Sequence, residues 1–347
     1  MSPRGGRHNR SGRPDGAGFD GVLVIAKPAG PTSHDIVALV RRLAETRRVG
    51  HGGTLDPFAT GVLPIFLGRA TRLVEYHLGD PKAYLATICL GATSTTDDRD
   101  GELTPVDGSA PDRAAVETAL AAMVGPTLQT PPAFSAVKLG GRRAYAMARA
   151  GETPELAPRS VTIHRLTIVD WDASDPARPI AVVEVDCSAG TYVRAIARDL
   201  GRTLGTGAYL GALVRTSSGA FQLDGAHSLD TVRAAAAEGP GPLRALLRPP
   251  DAGLDRFPRI RLTETEIAAI AKGQFVRPSA GPIGASVERV IAIDANDRPV
   301  AVATVRDGRL APDKVLVDPP ATASRAAPET QDPEPDRVAD VAPVAAS

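Results

Sequence analysis

The chain has 347 residues, 43% of them apolar, enough for two domains and a well-buried core. Forty basic residues balance forty acidic ones, which excludes a globally basic surface and requires any nucleic-acid partner to be met by local patches. Two distant cysteines, Cys89 and Cys187, give no disulfide framework. Together with the lack of a membrane-length apolar run or of a signal-peptide segment, they lead us to expect a cytoplasmic protein with no membrane contact.

Residues 1–18 are Gly, Arg, Ser and Pro with almost nothing apolar and are expected to form a disordered basic arm. From Phe19 the chain is expected to fold. Gly21 to Ala26 reads as a buried strand stopped by Lys27-Pro28-Ala29-Gly30-Pro31. Thr32 or Ser33 then caps a helix with Ile36, Val37, Leu39, Val40 and Leu43 on its apolar face. Arg41, Arg42, Arg47 and Arg48 follow, a candidate phosphate-facing edge.

The next stretch, Gly50-His51-Gly52-Gly53-Thr54-Leu55-Asp56-Pro57-Phe58-Ala59-Thr60-Gly61-Val62-Leu63-Pro64, is too rich in Gly and Pro for a helix or a regular strand. Pro57 pushes Asp56 toward extended geometry, and the apolar run Val62 to Leu67 reads as buried structure behind the loop. An Asp-Pro pair in a turn ordinarily satisfies backbone amides. A carboxylate on a stiff, core-braced loop also suits a nucleophile or a general base.

Lys82 to Leu90 alternates like a strand, and Thr93 to Asp100 reads as a polar connection. A helix is expected over 111–124, announced by Ser109 and Pro111, and another from about 142 to 150, carrying Arg142, Arg143 and Arg149 as further phosphate candidates. Val161 to Trp171 and Pro179 to Cys187 look like paired strands. Ser188 to Arg194 leads into a helix through Ala197, Leu200 and Leu204. Tyr192 and Arg194 can face one way only if that segment is extended. The elements mix without regular βαβ alternation, so the expected class is α+β with a mixed, largely antiparallel sheet flanked by helices. The expected divisions are a catalytic domain over 19–230, a linker over 231–257, a small β-rich domain over 258–318 and a disordered tail over 319–347.

Taken together, these motifs resemble the TruB family of tRNA pseudouridine synthases. Lys27 to Ser33 resembles its KPxGxTS element, Gly50 to Pro64 its GHxGxLDPxAxGxLP element, Lys82-Ala83-Tyr84 its K-x-Y strand and Cys187 to Arg194 its CSxGTYxR element. Ala26 and Gly52 depart from the pattern, where Asp and Thr are common. The likeness spans roughly 19–230 and implies a pseudouridine synthase fold, with a PUA-like RNA-binding domain at the C-terminus.

The implied reaction breaks the N1–C1′ bond of a uridine, turns the uracil and rejoins it through C5, with no cofactor and no metal. The resemblance assigns Asp56 to open it, either by attacking C1′ or by taking a proton from the sugar. It assigns Arg194 as the partner of Asp56, and the placement of a cation at a helix start, where it is disfavoured, points the same way. It assigns Tyr84 to stack on the uracil and relay the C5 proton, with Tyr192 beside it and Leu213 as an apolar wall. It assigns His51 to fill the space of the extruded base, and Lys27 is either structural or near phosphate. The implied substrate is uridine-55 in the T arm of tRNA, bound by a monomer that needs no protein partner. A synthase acting on another RNA and an RNA-binding tRNA folding chaperone are the alternative readings.

Overall fold

The computed structural model describes residues 18–319 except 109, 136, 153–154, 282 and 285, and the backbone only of 138, 143, 146, 148 and 149. The expected basic arm and tail therefore lie outside the described residues, apart from Gly18 and Pro319, as does the helix signal at Ser109.

β1 (Gly21–Lys27) is apolar up to Lys27 and buried along its length. α1 (Ser33–Leu43) is capped by Thr32: its side chain accepts from the Asp35 amide while Asp35 accepts from the Thr32 amide, a reciprocal arrangement that satisfies two otherwise orphan donors. β2 (Val49–His51) and β3 (Thr60–Leu67) flank the Gly/Pro loop, and β3 pairs antiparallel with both β1 and β2. A 3-10 turn over 68–73 and the short α2 (Val74–Leu78) lead to β4 (Lys82–Leu90).

The polar connection after β4 holds a small hairpin, β5 (Ala92–Ser94) with β6 (Leu103–Pro105). α3 (Arg113–Ala122) is capped by Asp112, and β7 (Gly125–Gln129) follows. The helix expected over 142–150 is corrected at its start. Gly140 and Gly141 take φ of 55° and 85°, closing a two-residue turn between β8 (Lys138–Leu139) and β9 (Arg142–Arg143). Paired positive φ is the geometry a tight hairpin needs, so only α4 (Ala144–Arg149) is helical.

β10 (Arg159–Asp172) and β11 (Ile180–Cys187) pair antiparallel, and α5 (Val193–Leu204), β12 (Ala208–Ser218) and β13 (Phe221–Gln222) complete the large sheet. Its order is β1-β3-β12-β4-β11-β10-β7, with β2 on β3 and β13 on β12. It is an α+β fold with a largely antiparallel sheet. Ile196, Ala197 and Leu200 of α5 share a core with Ile88, Val183 and Val185 of the sheet.

The parallel contact between β3 and β12 is short, Val214↔Thr60 and Arg215↔Gly61, and it lies directly behind the Asp56 loop. Gly61 has φ +106°, and a Cβ there would lie 2.2 Å from the Arg215 carbonyl oxygen. Gly61→Ala is therefore expected to cost on the order of 3 kcal/mol through strain and overpacking. Gly50→Ala, where a Cβ meets nothing within 4 Å, should change stability by less than about 0.5 kcal/mol. Urea unfolding of the two variants checks the difference.

Residues 231–257, expected as a bridge, instead carry α6 (Leu229–Glu238) and α7 (Pro240–Ala245). Ser228 caps α6, its alanines favour helix, and Leu229, Val232 and Leu243 join the core of β1 and α1. A second sheet follows: β14 (Arg259–Arg261), then α8 (Glu264–Ala271), β15 (Arg289–Ile293), β16 (Pro299–Arg306) and β17 (Arg309–Val315), in the order β14-β15-β16-β17. Ile291, Ile293, Val302 and Leu316 of this β-rich module share a core with Leu73 of the 3-10 turn and Leu254, with Tyr76 of α2 packed against it; Lys314 to Glu75 (2.6 Å) and Arg256 to Asp80 (3.2 Å) lie nearby. Among the described residues no helix is long and apolar enough to cross a membrane.

Candidate active site

The loop between β2 and β3 is held by its backbone from two sides. On one side stands the Lys27–Ser33 element. The Lys27 ammonium donates to the carbonyls of Pro28 (3.0 Å), Pro57 (3.2 Å) and Ala59 (2.7 Å). The Gly30 amide donates to Pro57 (2.9 Å), and Ser33 Oγ both donates to the Leu55 carbonyl and accepts from its amide. On the other side stands Arg215, whose guanidinium donates to the carbonyls of Val62 (2.7 Å), Thr54 (3.3 Å) and Gly53 (3.2 Å). Residues on both flanks of Asp56 are thus pinned, and its side chain is left to face outward.

Asp56 is paired with Arg194, which comes from the first turn of α5. Nη2 donates to Oδ1 at 3.2 Å, while Nε stands 3.0 Å from Oδ2 without hydrogen-bonding geometry. The same guanidinium meets Asp98 at 3.3 Å and donates to the carbonyls of Thr96 (3.1 Å) and Phe134 (2.9 Å). Two carboxylates and two carbonyls offset the unfavourable position of a cation at a helix N-terminus. The exposures separate the roles: the Arg194 and Asp98 side chains are 6% and 7% accessible, that of Asp56 34%. Of the three, Asp56 alone reaches solvent. Asp98 is held in turn by Thr96 Oγ1 and the Asp100 amide.

Burial pushes the Asp56 carboxyl above its ordinary range. Arg194 and, more weakly, Lys27 pull it back, while Asp98 adds to the rise. The ionised form is the one able to attack or to accept a proton, so turnover should be lost as pH falls through this raised value. The acid limb of a single-turnover pH profile is therefore expected above the unperturbed aspartate value of about 3.9. An acid limb at or below that value would contradict the burial of Asp56.

Tyr84 lies on β4 directly opposite Arg215 of β12, and Leu213 lies two residues away opposite Ala86. Both belong to the core shared with Leu55 and Phe58 of the loop, Leu213 fully buried and Tyr84 partly. His51 ends β2; its Nδ1 accepts from the Gly53 amide at 3.3 Å, and its ring meets His34 edge-on at 5.4 Å. Burial, then His34 and Arg215, lower its pKa, which favours a neutral ring.

The structure brings Asp56 and Arg194 together, with Tyr84 near enough to Asp56 to feel its charge and Leu213 in the core shared with Tyr84 and Leu55; His51 stands at the end of β2, where the loop begins. Tyr192 is itself extended (φ −99°, ψ 110°), while Val193 and Arg194 after it are already helical. It is the N-cap of α5, fixed through its backbone by Gln129, whose side-chain amide donates to the Tyr192 carbonyl (3.1 Å) and accepts from its amide (2.8 Å). Lys27 is 1% exposed, its protons go to loop carbonyls, and burial lowers its pKa to about 8. Arg142 forks onto Glu152 at 2.6 and 3.0 Å, while the side chains of Arg143 and Arg149 lie outside the described residues. Asp98, Arg215 and Gln129 are contacts that sequence reasoning missed.

A family model described as "TruB family pseudouridylate synthase (N terminal domain)" matches residues 41–193, and one described as "tRNA pseudouridylate synthase B C-terminal domain" matches 194–255. The chain is 46% identical over 287 residues to the tRNA pseudouridine synthase B of Thermobifida fusca (strain YX), covering 80% of this chain and 94% of that one. It is 40% identical over 307 residues to the tRNA pseudouridine synthase B of Bradyrhizobium diazoefficiens, 88% of each. Its fold is similar to that in a crystal structure of a Cbf5-Nop10-Gar1 complex, with a TM-score of 0.66, 24% identity and 86% of each chain covered.

Proposed function

The chain belongs to the TruB family of pseudouridine synthases, and from that premise we propose that it converts uridine-55 in the T loop of tRNA to pseudouridine, with Asp56 opening the reaction. The observation that carries this reading is a partly exposed carboxylate on a loop clamped from both sides and paired to a buried arginine. An ionised Asp56 attacks C1′ or takes a proton from the sugar as the N1–C1′ bond breaks; the freed uracil turns, C5 bonds to C1′ as the aspartyl–C1′ bond breaks or the sugar proton returns, and the C5 proton is then lost. No redox equivalent or energy-rich group is consumed.

The target base has to leave its stack to reach Asp56, at a cost of a few kcal/mol. Stacking on Tyr84 against the Leu213 wall, and His51 in the vacated space, offset that cost. Arg42, Arg47 and Arg48, exposed beside the loop, are the phosphate contacts, and Arg41 joins them less freely because it donates to the Val49 carbonyl at 2.9 Å. The C-terminal module grips a second part of the tRNA. The enzyme acts as a cytoplasmic monomer without cofactor, metal or protein partner.

Incubation of the purified protein with an unmodified tRNA transcript, in buffer alone, tests the reading. Pseudouridine is expected at position 55, and a transcript carrying cytidine there should yield none. Modification at another uridine, with position 55 untouched, would overturn the assignment.

A further inference from the structure

Among the described residues Arg215 is the largest side chain with under 2% exposure, and none of its hydrogen-bond partners there is a carboxylate. It donates to three carbonyls of the Asp56 loop segment, and the Tyr84 phenol, Lys27, Lys82 and His51 stand near enough to feel its charge. The backbone fixes that company. Arg215 pairs with Tyr84 across β12 and β4 and with Gly61 across β12 and β3, so one residue sits at the crossing of the strand bearing the phenol and the strand leaving the catalytic loop. Cross-strand partners keep their Cβ atoms about 5 Å apart.

We propose that Arg215 is a positioning residue that orients the Tyr84 phenol and locks it to the Asp56 loop as one unit. A guanidinium has five N–H donors and no acceptor. Three donors serve the carbonyls of Val62, Thr54 and Gly53, and the phenol oxygen can only accept from those remaining. The phenol's own O–H is therefore turned away from Arg215. When the oxygen takes a proton from substrate at its remaining lone pair, its own O–H proton leaves on the side away from Arg215 in the same step, so the oxygen never carries two protons. Burial raises the Tyr84 pKa and Arg215 opposes the rise, so the same contact eases any negative charge that gathers on the oxygen. Lysine cannot reproduce this, because its ammonium is a point donor rather than a fork.

This inference rests on the reaction proposed for the same site, so its test includes a readout that needs no substrate. Arg215→Lys and Arg215→Gln are each compared with the wild type by ultraviolet phenol titration. The Tyr84 signal is isolated from the other four of the five tyrosines by subtracting the matching Tyr84→Phe protein. The phenol is expected to titrate at higher pH in Arg215→Gln than in the wild type.

Single-turnover rates of Arg215→Lys, Tyr84→Phe and the double variant complete the cycle. Arg215→Lys is expected to lose about 100-fold in rate with little change in tRNA affinity, and far less when Tyr84 is already Phe. An unshifted phenol titration, or losses that multiply in the double variant, would overturn the proposal. Failure of both Arg215 variants to fold would do the same by making the role global rather than positional. Absence of pseudouridine with the wild type would instead count against the reaction, leaving the titration to decide the role of Arg215.

Discussion

Asp56→Asn is expected to lower pseudouridine formation by at least about 10⁴-fold, the scale at which removal of a nucleophile or a positioned base acts. Affinity for tRNA should stay within a few-fold, because the phosphate contacts and the Tyr84–Leu213 wall are untouched. The protein should also stay folded. Burial already disfavours the ionised form of Asp56, so a neutral amide of the same shape removes an electrostatic penalty as well as an ion pair. Arg194 keeps Asp98 and the carbonyls of Thr96 and Phe134. A variant that binds tRNA, melts near the wild type and does not turn over is the expected result. Loss of folding would show instead that Asp56 is chiefly a structural partner of Arg194.

The second large effect is at Arg194, and it has the opposite character. Arg194→Ala leaves Asp98, 7% exposed, without its cation, and removal of one partner of a buried pair costs roughly 3–5 kcal/mol. It also removes the main influence that holds the Asp56 carboxyl down. The Asp56 pKa should climb further, and the acid limb of activity should move to higher pH. Arg194→Lys keeps the charge but cannot span two carboxylates and two carbonyls with a planar fork, so an intermediate loss is expected. Asp98→Asn should restore part of the stability lost in Arg194→Ala by removing the unpaired charge. Urea unfolding and pH–rate profiles of these variants check the set. Equal stability of wild type and Arg194→Ala would contradict the buried-pair assignment.

Much of this site was legible through the family resemblance, which assigns Tyr84, Tyr192, Leu213 and His51, and local chemistry supports it at Asp56 and Arg194. The expectation that glycines and prolines around Asp56 exclude regular structure holds for 52–59 but not for Gly50 and His51, which end β2, or for Thr60 to Pro64, which begin β3; a cation at the start of α5 calls for a partner. Asp98 was not legible in the same way. It stands among Asp97 and Asp100 in a polar stretch, and only the fold puts its side chain, rather than theirs, against Arg194; Asp97 faces Arg198 at 3.1 Å instead. Arg215 carries no signal of its own in the sequence, since its three carbonyl partners lie about 150 residues or more away along the chain. Nor were the loop carbonyls around the Lys27 ammonium legible.

The fold shows the same division. The paired strands β10 and β11 and the capped helix α1 follow from alternation and capping. The hairpin at Gly140–Gly141 was hidden by the helix-forming residues after it, and 231–257 was misread because an Ala-rich composition suits either a bridge or a helix docked by a few apolar residues. Leu229, Val232 and Leu243 decide for the helix only once β1 and α1 are there to receive them.

The most direct measurement of the part played by Asp56 is single-turnover release of tritium from a tRNA transcript made with 5-tritiated uridine, since joining the uracil through C5 must expel that hydrogen. The wild type is expected to release one equivalent per tRNA without added cofactor, and Asp56→Asn, saturated with the same tRNA, none above background. Release by Asp56→Asn at a rate near that of the wild type would contradict the assignment of Asp56 as the group that opens the reaction.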